Sequence, residues 1–129
     1  MKFHHVGIAT HDIDRAVETF RAIHPTCVEI SDIIYDPKQD ASLKLVQLEG
    51  GVHFEFISGA AVSGLLKRKI DIYHTCFETD RFDETIALFQ SQKCVPLGKA
   101  KPAILFGGRR VIFFKTTHGI VELLEACIS

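Results

Sequence analysis

One stretch of the chain is stated twice, and this repetition limits the possible fold more than any other property. Phe3-His4-His5-Val6-Gly7-Ile8-Ala9-Thr10-His11-Asp12-Ile13-Asp14-Arg15-Ala16-Val17-Glu18-Thr19-Phe20 returns as Tyr73-His74-Thr75-Cys76-Phe77-Glu78-Thr79-Asp80-Arg81-Phe82-Asp83-Glu84-Thr85-Ile86-Ala87-Leu88-Phe89. His5 and His74, Asp14 and Asp83, Val17 and Ile86, and Phe20 and Phe89 are each 69 positions apart. Further on, Glu55 and Glu122 correspond at a spacing of 67, so the second copy has lost about two loop residues. Two copies are too few for a solenoid, which needs at least three to bury a continuous core, so the pattern predicts two modules facing each other.

Each copy reads as βαβββ. Phe3 to Ala9 alternates as a strand with His5, Gly7 and Ala9 on one face. A polar turn with several possible N-caps follows, then Ile13, Val17 and Phe20 recur at helical spacing until Pro25 stops the helix. Val28 to Tyr35 is expected as a strand, Asp36 to Asp40 as an exposed loop, and Ser42 to Leu48 as a further strand. Glu49-Gly50-Gly51 then turns the chain into Val52 to Ile57, where His53, Glu55 and Ile57 share a face. After a linker with a short helix near Val62 to Leu66 the order begins again. Ile72 to Glu78 is the strand, Phe82 to Gln92 the helix, Lys101 to Gly108 a loop, and Arg110 to Lys115 with Ile120 to Glu125 the closing hairpin. The expected organisation is one domain, 1–129, with module 1 at 1–57, a linker at 58–71 and module 2 at 72–129. The fold class is α+β: two tandem βαβββ modules, helices on the outer face, and a concave mixed-sheet cleft shared by both modules.

Composition narrows the functional classes. The net charge of −1 comes with no basic stripe, which argues against nucleic acid or an anionic membrane as partner. Cys27, Cys76, Cys94 and Cys127 show no C-x-x-C spacing and read as small hydrophobes of a reducing compartment. No apolar run is long enough for a signal peptide or a membrane span, so a cytoplasmic protein is expected.

Each copy places a His early in its first strand and a Glu in its last. Glu55 lies between Phe54 and Phe56, and Glu122 between Val121 and Leu123, where an uncompensated carboxylate costs several kcal/mol, on the order of 3–5. Two readings supply the missing positive charge. In one, Lys44 and Arg110, the only cations close in sequence, form cross-strand ion pairs with the two glutamates. In the other, His5, Glu55, His74 and Glu122 hold one divalent ion and leave positions open for substrate. That donor set suits Zn²⁺, Co²⁺, Ni²⁺, Fe²⁺ or Mn²⁺ alike. Of the remaining candidates, His53 shares the face of Glu55 and is placed beside the ligands, and Cys76 follows His74 by two positions on the same face. Arg109 and Arg110 either clamp a substrate carboxylate or phosphate or pair with a nearby acid. His4 alternates away from the cleft, and His11, His24 and His118 fall in turns and are read as solvated.

At these residues the chain resembles the vicinal oxygen chelate superfamily, the paired βαβββ fold of glyoxalase I, methylmalonyl-CoA epimerase, extradiol dioxygenases and the bleomycin- and fosfomycin-resistance proteins. Within it the epimerase branch is most similar, through His5-Val6-Gly7-Ile8-Ala9, Asp12-Ile13-Asp14-Arg15-Ala16, the linker Ala61-Val62-Ser63-Gly64-Leu65-Leu66-Lys67, and Gly107-Gly108-Arg109-Arg110-Val111-Ile112-Phe113. The resemblance implies a single divalent metal on His5, Glu55, His74 and Glu122. It also implies proton transfer by Glu122 and a second catalytic carboxylate on the strand before the first hairpin; where that acid is missing, either Glu55 doubles as the second base, as in glyoxalase I, or the reaction is not this epimerisation. The chain departs from the epimerase pattern on the strand before the first hairpin, where Lys44 or Gln47 stands in place of a second carboxylate.

Three functions follow as expectations. The first is a metal-dependent isomerase epimerising an acyl-CoA thioester, acting as a homodimer. The second is a glyoxalase I-type lyase acting on a thiol-aldehyde adduct, which uses both glutamates as ligands. The third is a metal-free protein that sequesters a drug, for which the quartet would not be needed.

Overall fold

The computed structural model describes residues 1–127, so Ile128 and Ser129, the end of the second expected module, lie outside the described residues. The chain divides into two compact units: an N-terminal unit, His5–Tyr73, and a C-terminal unit formed by Met1–His4 with His74 onwards. The first half runs β1 (Lys2–Ala9), α1 (Ile13–Ile23), β2 (Val28–Glu29), β3 (Ile34–Asp36), β4 (Ala41–Gln47) and β5 (His53–Ser58). A 3-10 turn (Ala60–Val62) and α2 (Ser63–Lys67) follow. The second half is β6 (Ile72–Thr79), α3 (Phe82–Ser91), β7 (Val95–Pro96), β8 (Lys101–Pro102), a 3-10 turn (Ile104–Phe106), β9 (Arg110–Thr116) and β10 (Gly119–Glu125).

Each unit is α+β with mixed strand pairing. In the N-terminal unit β5 is parallel to β1 and antiparallel to β4, which also carries β2 and β3 at its other edge. In the C-terminal unit β10 is parallel to β6 and antiparallel to β9, which carries β7 and β8. The parallel pair in each unit joins the first and last strands of one module, which need a long crossover connection; the antiparallel pair joins strands linked by a tight turn.

The helices form where the apolar spacing places them, and their starts differ in chemistry. Asp12 caps α1 by accepting the Arg15 amide at 3.1 Å, and the chain leaves the helix at His24, whose amide donates to the Phe20 carbonyl at 2.8 Å just before Pro25. α3 has no side-chain cap at Arg81; instead Thr85 Oγ1 donates to the Arg81 carbonyl at 2.7 Å, and Arg81 N donates to Thr79 Oγ1 at 3.1 Å. Ile13 and Val17 of α1 pack on Val46 and Phe56, and Phe82 of α3 packs on Ile112, Phe114 and Leu123. In each unit the helix therefore covers one face of its own strands, and the other face is left for His5 and Glu55 or for His74 and Glu122.

Three local expectations are corrected. The strand expected over Val28 to Tyr35 breaks into β2 and β3, because Ile30 N and Ser31 N both donate to the Leu45 carbonyl while Leu45 N donates to Ser31 Oγ at 3.0 Å. A side chain there replaces a rung of the ladder. The loop at Asp36 is not wholly exposed: the Asp36 carboxylate is buried and accepts from Lys38 N at 3.0 Å and Gln39 Nε2 at 2.9 Å, tying the turn to the edge of β4. His24 is half-buried, its ring stacked 4.6 Å from Phe20, so it belongs to the helix end rather than to solvent.

Candidate functional site

Strand register explains why one His and one Glu meet in each unit. In the N-terminal unit His5 lies opposite His53 and Gly7 opposite Glu55, so Glu55 is the diagonal neighbour of His5 on the same face. In the C-terminal unit His74 lies opposite Ile120 and Cys76 opposite Glu122, which repeats the relation. The distances are alike: His5 Nε2 is 3.7 Å from Glu55 Oε1, and His74 Nε2 is 3.3 Å from Glu122 Oε1. All four side chains are deeply buried, at 0%, 4%, 3% and 2% exposure for His5, Glu55, His74 and Glu122.

These pairs fit a divalent metal on two counts. Two ligands of one ion, each about 2.1 Å from it and at angles between square and tetrahedral, stand roughly 3.0–3.5 Å apart. The observed spacings lie at or just beyond that range. The donors also have the right chemistry, since imidazole nitrogen and carboxylate oxygen both bind borderline-hard cations and the carboxylates bring the charge to balance one.

The competing ion-pair reading does not survive the geometry. Lys44 is opposite Phe56, while Glu55 is opposite Leu45, so Lys44 points to the helix-covered face, away from Glu55. Its ammonium lies 2.9 Å from Glu29, which also takes Arg21 at 2.8 Å, and the hydrogen bond and charge of Lys44 hold the Glu29 carboxyl below its usual range. Arg110 is committed to Glu125 at 2.8 Å and Asp83 at 3.3 Å and lies over the Phe82 ring. The same contacts lower the Glu125 pKa and raise that of Arg110. Arg109 bonds Glu78 at 2.7 Å and the carbonyls of Glu125 and Phe106. Of the two readings open for these arginines, pairing with a nearby acid is the one observed.

The surroundings of the two pairs differ. On the ligand face of β4, Leu43 lies opposite Ile57, Leu45 opposite Glu55 and Gln47 opposite His53, so Gln47 rather than Lys44 shares the face of Glu55. In the C-terminal unit Phe113 lies opposite Glu122, and its ring meets His74 edge-on at 5.1 Å. Phe113 was not singled out by residue type, although period-two alternation from Glu122 across the β9–β10 hairpin marks its position. Cys76 is fully buried opposite Glu122, as its spacing from His74 implies, and His53 is half-buried opposite His5. His4 is half-buried and packs edge-on against Phe106 at 5.2 Å, while His11 and His118 are exposed. All four cysteines are free thiols.

The repeated βαβββ unit, with one His–Glu pair per unit, can be set beside known proteins. The sequence profile of the Glyoxalase/Bleomycin resistance protein/Dioxygenase superfamily matches residues 4–113, and the chain belongs to that superfamily. Methylmalonyl-CoA epimerase from Mycobacterium tuberculosis is similar in structure, with a TM-score of 0.84 at 18% identity over 98% of this chain and 89% of that one. A Streptomyces coelicolor methylmalonyl-CoA epimerase in complex with 2-nitronate-propionyl-CoA superposes with a TM-score of 0.80 at 23% identity, over 98% and 95% of the two chains. A methylmalonyl-CoA epimerase in complex with methylmalonyl-CoA and NH4+ gives 0.78 at 22% identity, over 98% and 94%. At these identities the likeness defines the fold. No curated protein sequence matches the chain. No helix among the described residues is long and apolar enough to cross a membrane.

Proposed function

We propose that the two units act as one domain, that His5, Glu55, His74 and Glu122 together hold one divalent cation, and that the protein is an isomerase of the methylmalonyl-CoA epimerase type acting on an acyl-CoA thioester. The observation that carries this reading is the repeated, buried His–Glu pair with Nε2 to Oε1 distances of 3.7 and 3.3 Å. The complexes of the structural neighbours with acyl-CoA molecules support the substrate class.

A cation bound there would supply Lewis acidity, which lowers the pKa of a C–H next to the thioester carbonyl. The chain's own residues supply the proton movements. A Glu122 carboxylate oxygen takes the proton from the carbon next to the carbonyl, and Glu55, which must enter this direction of the reaction in its protonated form, delivers its proton to the opposite face; the carbon is inverted and the two glutamates exchange protonation states. Phe113, packed edge-on against His74, holds the imidazole in its plane and keeps water from the Glu122 side. His53, beside His5 in register, supports the first pair.

A second reading is a glyoxalase I-type lyase acting on a thiol-aldehyde adduct. The residues Leu43, Leu45 and Gln47 on the ligand face of β4 favour it, because they offer no carboxylate beyond the quartet. Sequestration of a drug without metal leaves the two buried pairs without a purpose and is the weakest of the three. The deciding experiment measures metal content and solvent-deuterium incorporation into methylmalonyl-CoA, with a thiohemiacetal run in parallel. About one divalent ion per chain, with exchange into methylmalonyl-CoA that Glu122→Gln lowers by a factor of about 10³ or more, is the expected result. Turnover of the thiohemiacetal alone would move the assignment to the lyase, and bound metal with neither activity would refute both. Assembly as a homodimer in the cytoplasm is part of the same proposal and is checked by light scattering and cell fractionation.

A further inference from the structure

The consecutive arginines at the start of β9 go to opposite faces of the C-terminal unit. Period-two alternation puts Arg110 with Ile112 and Phe114 on the side of α3, where it meets Asp83 and Phe82, and puts Arg109 with Val111 and Phe113 on the side of Glu122. The acid that Arg109 bonds is on that side too. On β6, Phe77 packs into the cluster beneath α3, so His74, Cys76 and Glu78 share the other face, with Cys76 opposite Glu122 and Glu78 opposite Leu124. The Arg109–Glu78 pair therefore stands on the candidate ligand face, one side-chain step past the row of Glu122, roughly 7 Å along the strands.

The fold does not require an ion pair at this place. Glu78, opposite Leu124, corresponds to Ala9, opposite Ile57; Arg109, two residues before Val111, corresponds to Ala41, two residues before Leu43. The N-terminal unit thus fills the same corner with two buried alanines, at 2% and 1% exposure. Replacing a buried ion pair by apolar residues is often neutral or stabilising, so stability alone gives the second copy no reason to depart from the first.

The guanidinium is fixed in place and only partly used. Nη1 donates to Glu78 Oε2 at 2.7 Å and to the Glu125 carbonyl at 3.2 Å, Nε donates to the Phe106 carbonyl at 3.2 Å, and the guanidinium carbon lies 5.7 Å from the centre of the Phe106 ring. The backbone is held as well: Ala103 N donates to Arg109 O at 2.9 Å and Arg109 N to Phe106 O at 3.3 Å, across a turn where Gly107 and Gly108 take φ of 67° and 86°. Nη2, with its two N–H groups, donates to no described residue. The side chain keeps 21% of its surface in water, so that nitrogen can be reached. A planar fork anchored by one arm on an acid, with the other arm open, recognises a second carboxylate.

We infer that Arg109 is a specificity residue whose Nη2 holds a carboxylate at the far end of the substrate's acyl group, with Glu78 as its positioning residue. The inference rests on the thioester reading above and narrows the substrate to the monothioester of a longer diacid. A carboxylate on the reacting carbon itself lies next to the thioester carbonyl, at the quartet. Arg109, a further side-chain step away, meets one carried at least one carbon further out.

The test compares succinyl-pantetheine with butyryl-pantetheine, its counterpart without the carboxylate, by calorimetry on metal-loaded wild type, Arg109→Gln and Glu78→Ala/Arg109→Ala. The last variant copies the alanine pair of the first unit and is expected to fold. Wild type should prefer the succinyl compound by about tenfold or more, and both variants should bind the two compounds within about twofold of each other. In wild type the Arg109 Nε–H resonance should shift with the succinyl compound and not with the butyryl one, a readout that decides the matter even if neither variant folds. A wild type without the preference, a folded variant that keeps it, or an Nε–H resonance indifferent to the carboxylate would each overturn the assignment. Because these measurements need no turnover, they separate the two proposals. A preference that Arg109→Gln abolishes, with no deuterium exchange into methylmalonyl-CoA, removes the epimerase reading and leaves Arg109 its role; exchange with a preference unchanged in Arg109→Gln does the reverse.

Discussion

Glu122→Gln and Glu55→Gln should change stability with opposite signs in the absence and presence of metal. Both carboxylates are almost fully buried, at 2% and 4% exposure, so each charge is held away from water. Replacing it with a neutral amide of the same shape removes a desolvation cost, and the metal-free variant is expected to be more stable than metal-free wild type by about 1 kcal/mol or more. With metal the order reverses. An ion at about 1,000 times its dissociation constant stabilises the folded state by about 4 kcal/mol. For a chain of 129 residues, with unfolding entropy of about 2.1 cal/mol/K per residue, that corresponds to a rise in Tm of roughly 15 °C. A glutamine in either position forfeits most of that rise. The assay is a thermal melt of wild type and both variants after chelator treatment and again with added Zn²⁺ or Co²⁺. Equal metal-induced shifts in wild type and variants would refute the shared-ion reading, as would a metal-free Glu122→Gln less stable than metal-free wild type.

Other perturbations test the scaffold. Lys44→Ile places in the N-terminal unit the residue type that Ile112 supplies at the equivalent position, opposite Leu123 as Lys44 is opposite Phe56; stability by urea unfolding is expected to be unchanged or higher by up to about 1 kcal/mol, since Glu29 keeps Arg21. Asp12→Ala removes the cap on the Arg15 amide and should cost about 1 kcal/mol, whereas Arg81→Ala, at a helix start that uses no side chain from that position, should cost less than half as much in the same assay. Arg110 holds the Glu125 carboxyl below its ordinary value of 4.5, so the stability this pair contributes is complete above that pH and is lost as pH falls through the lowered value. The stability difference between wild type and Arg110→Gln should therefore be largest near neutrality and shrink below about pH 4.5, measured by urea titration at several pH values.

Much of the fold was legible because the repeat and the period-two and helical spacings agree with one another. α1 over Ile13–Ile23 and β10 ending at Glu125 fall where the pattern puts them. What the pattern missed were places where a polar side chain competes with the backbone. Ser31 breaks the strand after Val28 by taking the Leu45 amide, and Asp36 folds its own loop inward; neither event leaves a periodic trace. The candidate ligands were legible for a different reason. An acid between two apolar residues, Phe54 and Phe56 in one copy and Val121 and Leu123 in the other, is conspicuous without any geometry. Its partner cation was not legible, because Lys44 is near Glu55 in sequence and on the wrong face of the strand, and only register separates the two.

The chain's first four residues carry a consequence for any attempt to divide it. Phe3 packs on Phe77 with ring centroids 5.5 Å apart, and His4 on Phe106 at 5.2 Å, so the start of β1 belongs to the C-terminal unit while its remainder belongs to the other. A gene fragment encoding only the later half would deprive Phe77 and Phe106 of these ring contacts. Cleavage within the linker would still leave one polypeptide end serving both pieces, so fragments are best recovered together rather than purified apart.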